Sequence, residues 1–216
     1  PGSDLGDVVA GLPEGRLDAV AEQVAQAQAI AARTPTAGRY GYAARPEAAP
    51  HATWSAVVSA HVERSRGRLA EAGLFDIGAA TRVAQAVKRL RTELDAIPAT
   101  PFLHDTTTKN VIVTADGAFS GIVDVDDLCF GDPRYAPALT LAAMMAHGLP
   151  TLYVDLWRRL AGWADDALFR LYVAACLLDL MAEHGHMFNG NPMPSSVEAR
   201  RRLESLFSEA VARLPE

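Results

Sequence analysis

Thr100-Pro-Phe-Leu-His-Asp-Thr-Thr-Thr-Lys-Asn-Val-Ile-Val113, followed by Gly121-Ile-Val-Asp-Val-Asp-Asp-Leu-Cys-Phe-Gly-Asp-Pro133, is the stretch that organises the chain. Its apolar runs, Phe102-Leu103, Val111-Ile112-Val113 and Ile122-Val123, are each bounded by turn or polar residues and read as short β-strands. Ala115-Asp-Gly117 supplies the Asp-Gly turn signal that folds two of them into a hairpin. On that reading Asp105, Asn110 and Asp124 emerge close together at one end of a small sheet. A second acidic pair, Asp126 and Asp127, follows directly.

Outward from this stretch the chain reads as helical. Ser3 or Asp4 is placed to cap a short helix over 5–12, which Pro13 ends. Leu17 to Ala32 carries Leu17, Val20, Ala21, Val24 and Ala27 on one stripe, the period of an amphipathic helix. Residues 34–50 hold three Pro, two Gly and two Tyr and read as a long loop, of the length that binding segments and ordered surface crossings share. Helices are expected from about 53 to 72, ended by Gly73, and from about 79 to 96. Beyond Pro133 they are expected near 135–147, 152–162, 167–184 and 195–214. The organisation is a helical part over 1–98, the loop-bearing β element over 99–133, and a second helical part over 134–216.

Bulk properties narrow the function classes. No apolar run approaches the ~20 residues that a membrane span requires, and no basic-then-apolar leader opens the chain. The formal net charge of −6 argues against a nucleic-acid footprint. Two cysteines, Cys129 and Cys176, make no disulfide framework and read as buried thiols of a cytoplasmic protein.

An Asp and an Asn separated by four residues across one loop are able to point into a shared cleft. A second Asp arriving from a hairpin completes a pair of hard oxygen ligands, which suits Mg²⁺ better than zinc. The first Asp is then free to accept a hydroxyl proton. Phosphoryl transfer uses this division of labour, with one carboxylate orienting the nucleophile while metal ions neutralise the phosphates.

His104-Asp105-Thr-Thr-Thr-Lys-Asn110 resembles the catalytic loop of the aminoglycoside phosphotransferase and choline kinase family, relatives of the protein kinases, in which an Asp is followed by an Asn five positions on. Val123-Asp124 with Gly131-Asp-Pro133 seven positions later resembles that family's metal-binding segment. Spacing within each motif and the order of the motifs agree. The resemblance implies an α+β, mostly helical fold, the protein-kinase-like C-terminal lobe, with a small β-hairpin carrying the catalytic and metal loops. It implies transfer of the γ-phosphate of ATP or GTP to a small-molecule hydroxyl acceptor such as an aminoglycoside or amino alcohol. Asp105 becomes the catalytic base, and Asn110 and Asp124 the Mg²⁺ ligands.

Asp126 is a candidate second ligand or outer partner of the metal. The segment between the last helices forms part of the acceptor pocket in related kinases, so Glu183, His184, His186, Asn189 and Asn191, with Asp127, are candidates for acceptor contact. His184 and His186 lack the Cys or His spacing of a structural zinc site. Asp132 reads as a turn or capping residue, and Thr106 to Thr108 as backbone-bonding residues without chemistry.

The resemblance covers nearly the whole chain but only as that lobe. Pro1 to Leu5 is similar to the segment just past the family's nucleotide-binding hinge, and neither a Gly-rich turn over phosphates nor a strand Lys paired with a helix Glu is found. The N-terminal β lobe is therefore expected to be absent from this chain, with little turnover by this piece alone. Two positions depart from the family pattern. Leu103 stands where the family has a His two positions before the Asp, and Tyr135-Ala-Pro-Ala138 lacks an Asp that the family often places there. Two other readings remain: a non-catalytic, pseudokinase-like binding domain, and a Mg²⁺-dependent phosphohydrolase built on Asp124-Val-Asp126.

Overall fold

The computed structural model describes residues 2–125, 128–188, 191–193 and 195–215. Ser3–Asp4 forms a two-residue strand, β1, followed by α1 (Leu5–Val8) and a 3-10 turn over Val9–Gly11. The expected helix over 5–12 is thus shorter, and Asp4 makes no side-chain capping bond. Its backbone is used differently, because Ser3 and Asp4 pair antiparallel with Val113 and Ile112 and close an otherwise open sheet edge. Helix α2 (Glu14–Ala31) follows Pro13 and buries Leu17, Val20, Ala21, Val24, Gln28 and Ala31. Gln28 is the one polar member of that stripe.

The 34–50 segment is not a bare loop. It contributes strand β2 (Gly41–Ala43) and a 3-10 turn over Pro46–Ala48. Helix α3 (Trp54–Ala72) is capped at its start by Thr53, whose hydroxyl accepts from Ala56 N, and at its end by Gly73 at φ +61°. The single helix expected over 79–96 is two, α4 (Gly78–Arg89) and α5 (Arg91–Asp95), broken at Leu90. The short α5 is tied to the start of α3 by Asp95, which accepts from Ser55 N at 3.3 Å.

Four strands follow: β3 (Thr100–Leu103), β4 (Val111–Val113), β5 (Phe119–Ile122) and β6 (Leu128–Gly131). The Asp-Gly hairpin forms as expected, with Val111 opposite Ile122. The single small sheet does not. β1, β4 and β5 make one three-stranded sheet and β2, β6 and β3 another. Strand β6 joins β2 to β3, with Phe102 opposite Cys129 and Tyr42 opposite Cys129 on the other side. Asp105 therefore leaves one sheet, while Asn110 and Asp124 flank the hairpin of the other.

The remaining elements are α6 (Tyr135–His147), α7 (Leu152–Leu160), α8 (Ala167–Glu183), the pair β7 (Met187–Phe188) and β8 (Asn191–Pro192), and α9 (Val197–Ala212). Helix α8 is the axis of the core, buried on most of its circumference from Leu168 to Ala182 and packed by α3, α4, α6 and α9. Cys129 and Cys176 are buried and unbridged, and burial pushes both thiols up in pKa, so neither is a nucleophile at neutral pH. No helix among the described residues is long and apolar enough to cross a membrane.

Trp54 ties the core to the Gly-Asp-Pro turn. Its ring is fully buried, meets Phe102, Tyr135 and Tyr172 edge-on, and donates from Nε1 to Tyr172 Oη at 2.9 Å. Gly131 lies against the indole so closely that a Cβ there would fall 2.2 Å from Cε3. Only glycine permits that approach.

Candidate active site

The loop from Leu103 to Asn110 is built so that Asp105 stays exposed while its backbone is held. Asn110 Nδ2 donates to Asp105 O at 2.9 Å, and Thr107 Oγ1 donates to Asp105 Oδ1 at 2.9 Å. One carboxylate oxygen is thereby oriented, and the side chain as a whole stays exposed. The loop closes on itself through Asn110 N and Val111 N, both donating to Thr107 O.

Asn110 is the hub of the arrangement. Its own carbonyl accepts from Val123 N at 2.9 Å, which extends the β4–β5 pairing to the residue before Asp124. Asp124 then turns the chain away at φ +58°, the sole non-glycine residue with a positive φ among the described residues. Short polar side chains tolerate this region best, and backbone strain of this kind gathers at functional sites.

The residues present fit a magnesium ion. The Asp105 carbonyl is able only to accept, so Asn110 must aim its amide nitrogen there and its Oδ1 remains as a hard oxygen donor. The Asp124 carboxylate is exposed at the end of the same hairpin. Among the described residues no three His, Cys, Asp or Glu side chains group as a metal site. Mg²⁺ takes one or two protein ligands and fills its sphere with water and phosphate, and the Asn110 and Asp124 oxygens match it in kind. Asp126, the candidate additional ligand, and Asp127 lie outside the described residues.

Several bracing residues carry no motif. Gln28, on α2, accepts from Leu103 N with Oε1 (2.9 Å) and donates with Nε2 to Leu103 O (2.8 Å) and Thr106 Oγ1 (3.2 Å). Thr140, on α6, donates to Thr106 O, and Gly6 N donates to Thr108 O. His104 packs edge-on against Tyr42 at 4.6 Å between centroids and stacks on Tyr135 at 5.5 Å. His61 completes that cluster, its Nδ1 3.1 Å from Tyr135 Oη. Burial lowers His104 to about 4, and burial with the Arg64 charge lowers His61 to about 3, so both rings are neutral at physiological pH. Asp132 accepts from Arg134 N, Nε and Nη2 and from Tyr172 Oη, and Arg134 reaches on to Asp166. This is a bracing and turn-forming role. The sole sequence signal for Gln28 was a polar residue in register with a buried stripe.

An open cleft of about 500 Å³ is lined by Arg68, Glu71, Glu183, Gly185, His186 and Met187. His186 donates from Nε2 to Arg68 O at 2.9 Å. His184 does not join it. Its ring is buried, meets Phe75 edge-on and lies with Nδ1 3.1 Å from Ser195 Oγ, a packed position beside the cleft rather than in its lining. Asn189 lies outside the described residues, and of Asn191 only the backbone of β8 is described.

Burial, and then the Asp179 charge, push the Glu183 carboxyl up to about 7 against the pull of Arg68 and Arg64, and Asp105 adds to the rise. Since the ordinary value is 4.5, folded protein retains a proton here that unfolded chain has released, and stability falls as pH rises from about 4.5 through 7. Glu183→Gln should remove that slope. Allowing for solvent screening of a partly exposed group, the variant should be more stable than wild type by on the order of 1–2 kcal/mol near pH 8 and matched to it near pH 4. Urea unfolding at the two pH values checks this, and a pH-independent difference would refute it.

A family described as "Phosphotransferase enzyme family" matches residues 1–170. No curated protein matches the sequence significantly. Among solved structures, the chain is similar to a thermostable mutant of aminoglycoside phosphotransferase APH(4)-Ia in ternary complex with AMP-PNP and hygromycin B, at 21% identity and TM-score 0.62, covering 98% of this chain and 69% of that one. A putative fructosamine-3-kinase from Thermobifida fusca aligns at 20% identity and TM-score 0.57, covering 94% and 66%. Choline kinase LicA from Streptococcus pneumoniae aligns at 10% identity and TM-score 0.55, covering 97% and 67%. At these identities the likeness shows a shared kinase-like fold.

Proposed function

The chain belongs to the phosphotransferase enzyme family, and from that premise we propose that it carries the catalytic and metal-binding side of a small-molecule kinase site. The donor is ATP or GTP and the acceptor a hydroxyl of a small molecule. The observation that carries this reading is the hub at Asn110, which binds Asp105 through its side chain and the residue before Asp124 through its backbone. One contact network thus joins a proton acceptor to a pair of hard oxygen donors.

Asp105 orients the acceptor hydroxyl and takes its proton on the oxygen that Thr107 leaves free. Asn110 Oδ1 and Asp124 hold Mg²⁺, which neutralises charge on the phosphates when bound. The acceptor lies over the cleft of Arg68, Glu71, Glu183 and His186, where the Glu71 carboxylate, and Glu183 once it releases its proton, favour an amine-bearing molecule of the aminoglycoside or amino alcohol kind. The solved APH(4)-Ia complex, with a nucleotide analogue and an aminoglycoside together, is in keeping with that pairing. The nucleotide is taken to be held as well by an N-terminal β lobe of the kind that the family resemblance implies.

Calorimetry tests the metal assignment. In protein carrying that lobe, Asp124→Ala should weaken MgATP binding by about tenfold or more while binding measured in a metal chelator stays unchanged, as expected for loss of a charged metal ligand. Unchanged MgATP affinity would count against it.

A further inference from the structure

Strand β3 is the edge strand of its sheet, bonded to β6 on one side only. An edge strand that leads straight into a functional loop leaves its last residue free to shift. Leu103 is that residue, and it lacks any polar side chain of its own to anchor the turn. The free edge is occupied by a side chain instead. The Gln28 amide presents one acceptor and one donor to Leu103 N and Leu103 O, as a neighbouring strand would, and its Nε2 also reaches Thr106 Oγ1. Gln28 thus grips the chain two residues before and one residue after Asp105. It is 5% exposed, on a helix whose neighbouring buried positions are apolar, so it has little freedom to move.

We infer that Gln28 is a positioning residue for phosphoryl transfer, holding the Asp105 loop in its reactive geometry from outside the site. The inference rests on the proposed kinase reading. Small displacements of a reacting group cost rate steeply, on the order of 10²-fold for ~1 Å, whereas substrate contacts elsewhere in the cleft are untouched. The cost should therefore fall on kcat rather than on KM.

Two variants test it. Q28M keeps the length and removes all three bonds. Q28E offers a chemical switch, because an ionised carboxylate only accepts and repels Leu103 O, whereas the protonated acid has one donor and one acceptor and restores the pair. Turnover is measured in protein carrying the nucleotide-binding lobe, and amide exchange at Leu103 in the present chain. Q28M should lower kcat at least tenfold with both KM values within about twofold of wild type, and should speed exchange at Leu103 at least tenfold. The ratio of Q28E to wild-type kcat should rise severalfold as pH falls from about 8 to 6, and Q28E exchange at Leu103 should slow relative to wild type over the same range. An unchanged Q28M kcat, a matching rise in KM or a flat Q28E ratio would overturn the inference. If Q28M does not fold, the two pH values taken on Q28E decide it. If wild type itself transfers no phosphate, the kinase reading fails, and unchanged Leu103 exchange in either variant would separately show that Gln28 does not set the loop.

Discussion

Asp105→Ala should lower turnover by about 10²–10⁴-fold, the range a positioned general base contributes, while nucleotide affinity stays near wild type. The separation follows from geometry. Asp105 contributes its backbone carbonyl to Asn110, and the substitution keeps that carbonyl, so the metal-facing orientation of Asn110 survives. The lost group is an exposed carboxylate whose contact with protein is the Thr107 hydroxyl. Folding stability should accordingly change by less than about 0.5 kcal/mol, as for a surface substitution. Single-turnover phosphoryl transfer at saturating donor and acceptor, with nucleotide titration alongside, measures both quantities. Near-native turnover would remove Asp105 from the reaction, and a parallel collapse of nucleotide binding would place it on the metal instead.

Trp54→Ala should be the most damaging change to the fold, costing about 3–5 kcal/mol in chemical denaturation. The indole is fully buried where α3, α6, α8 and β6 converge, and its removal opens a cavity between Phe102, Tyr135 and Tyr172. It also takes away a hydrogen bond to Tyr172, whose hydroxyl donates onward to Asp132 in the Gly-Asp-Pro turn. Gly131 would lose the surface it packs on. Trp54→Phe keeps part of the ring and should recover roughly half of the loss. A cost for Trp54→Ala below about 1 kcal/mol would show that the site relaxes around the gap and that the indole does not hold the turn in place.

How much was legible in the sequence varies with the range of the interaction. The Asp-Gly hairpin was readable because the turn chemistry and both flanking apolar runs lie within thirteen residues of each other, Val111 to Val123. The helices α2, α3, α6 and α8 were readable because their apolar spacing and their end signals, such as Gly73, are local. Strand β2 was not, since Gly41-Tyr-Ala43 has no strand pattern and forms because β6 offers it an open edge. The same holds for Ser3–Asp4 against β4. A helix from 79 to 96 was expected because nothing at Leu90 breaks the local pattern, and the break comes with the contact between Asp95 and Ser55.

The sequence by itself determined the motifs on which the proposed chemistry rests: an Asp followed by an Asn five positions on, a further Asp after a hairpin, and a Gly-Asp-Pro turn, each a local pattern that needs no knowledge of distant residues. Only the tertiary structure decided what holds that chemistry in place. Asp105 arrives from one sheet and Asn110 and Asp124 from another, and the loop between them is braced by Gln28 from 75 residues away, by Thr140 and by Gly6. A hydrogen bond from a buried glutamine to a strand edge is specified by packing, which brings α2 against β3. No local rule encodes that meeting, because the glutamine and the strand it completes share only the core that forms between them.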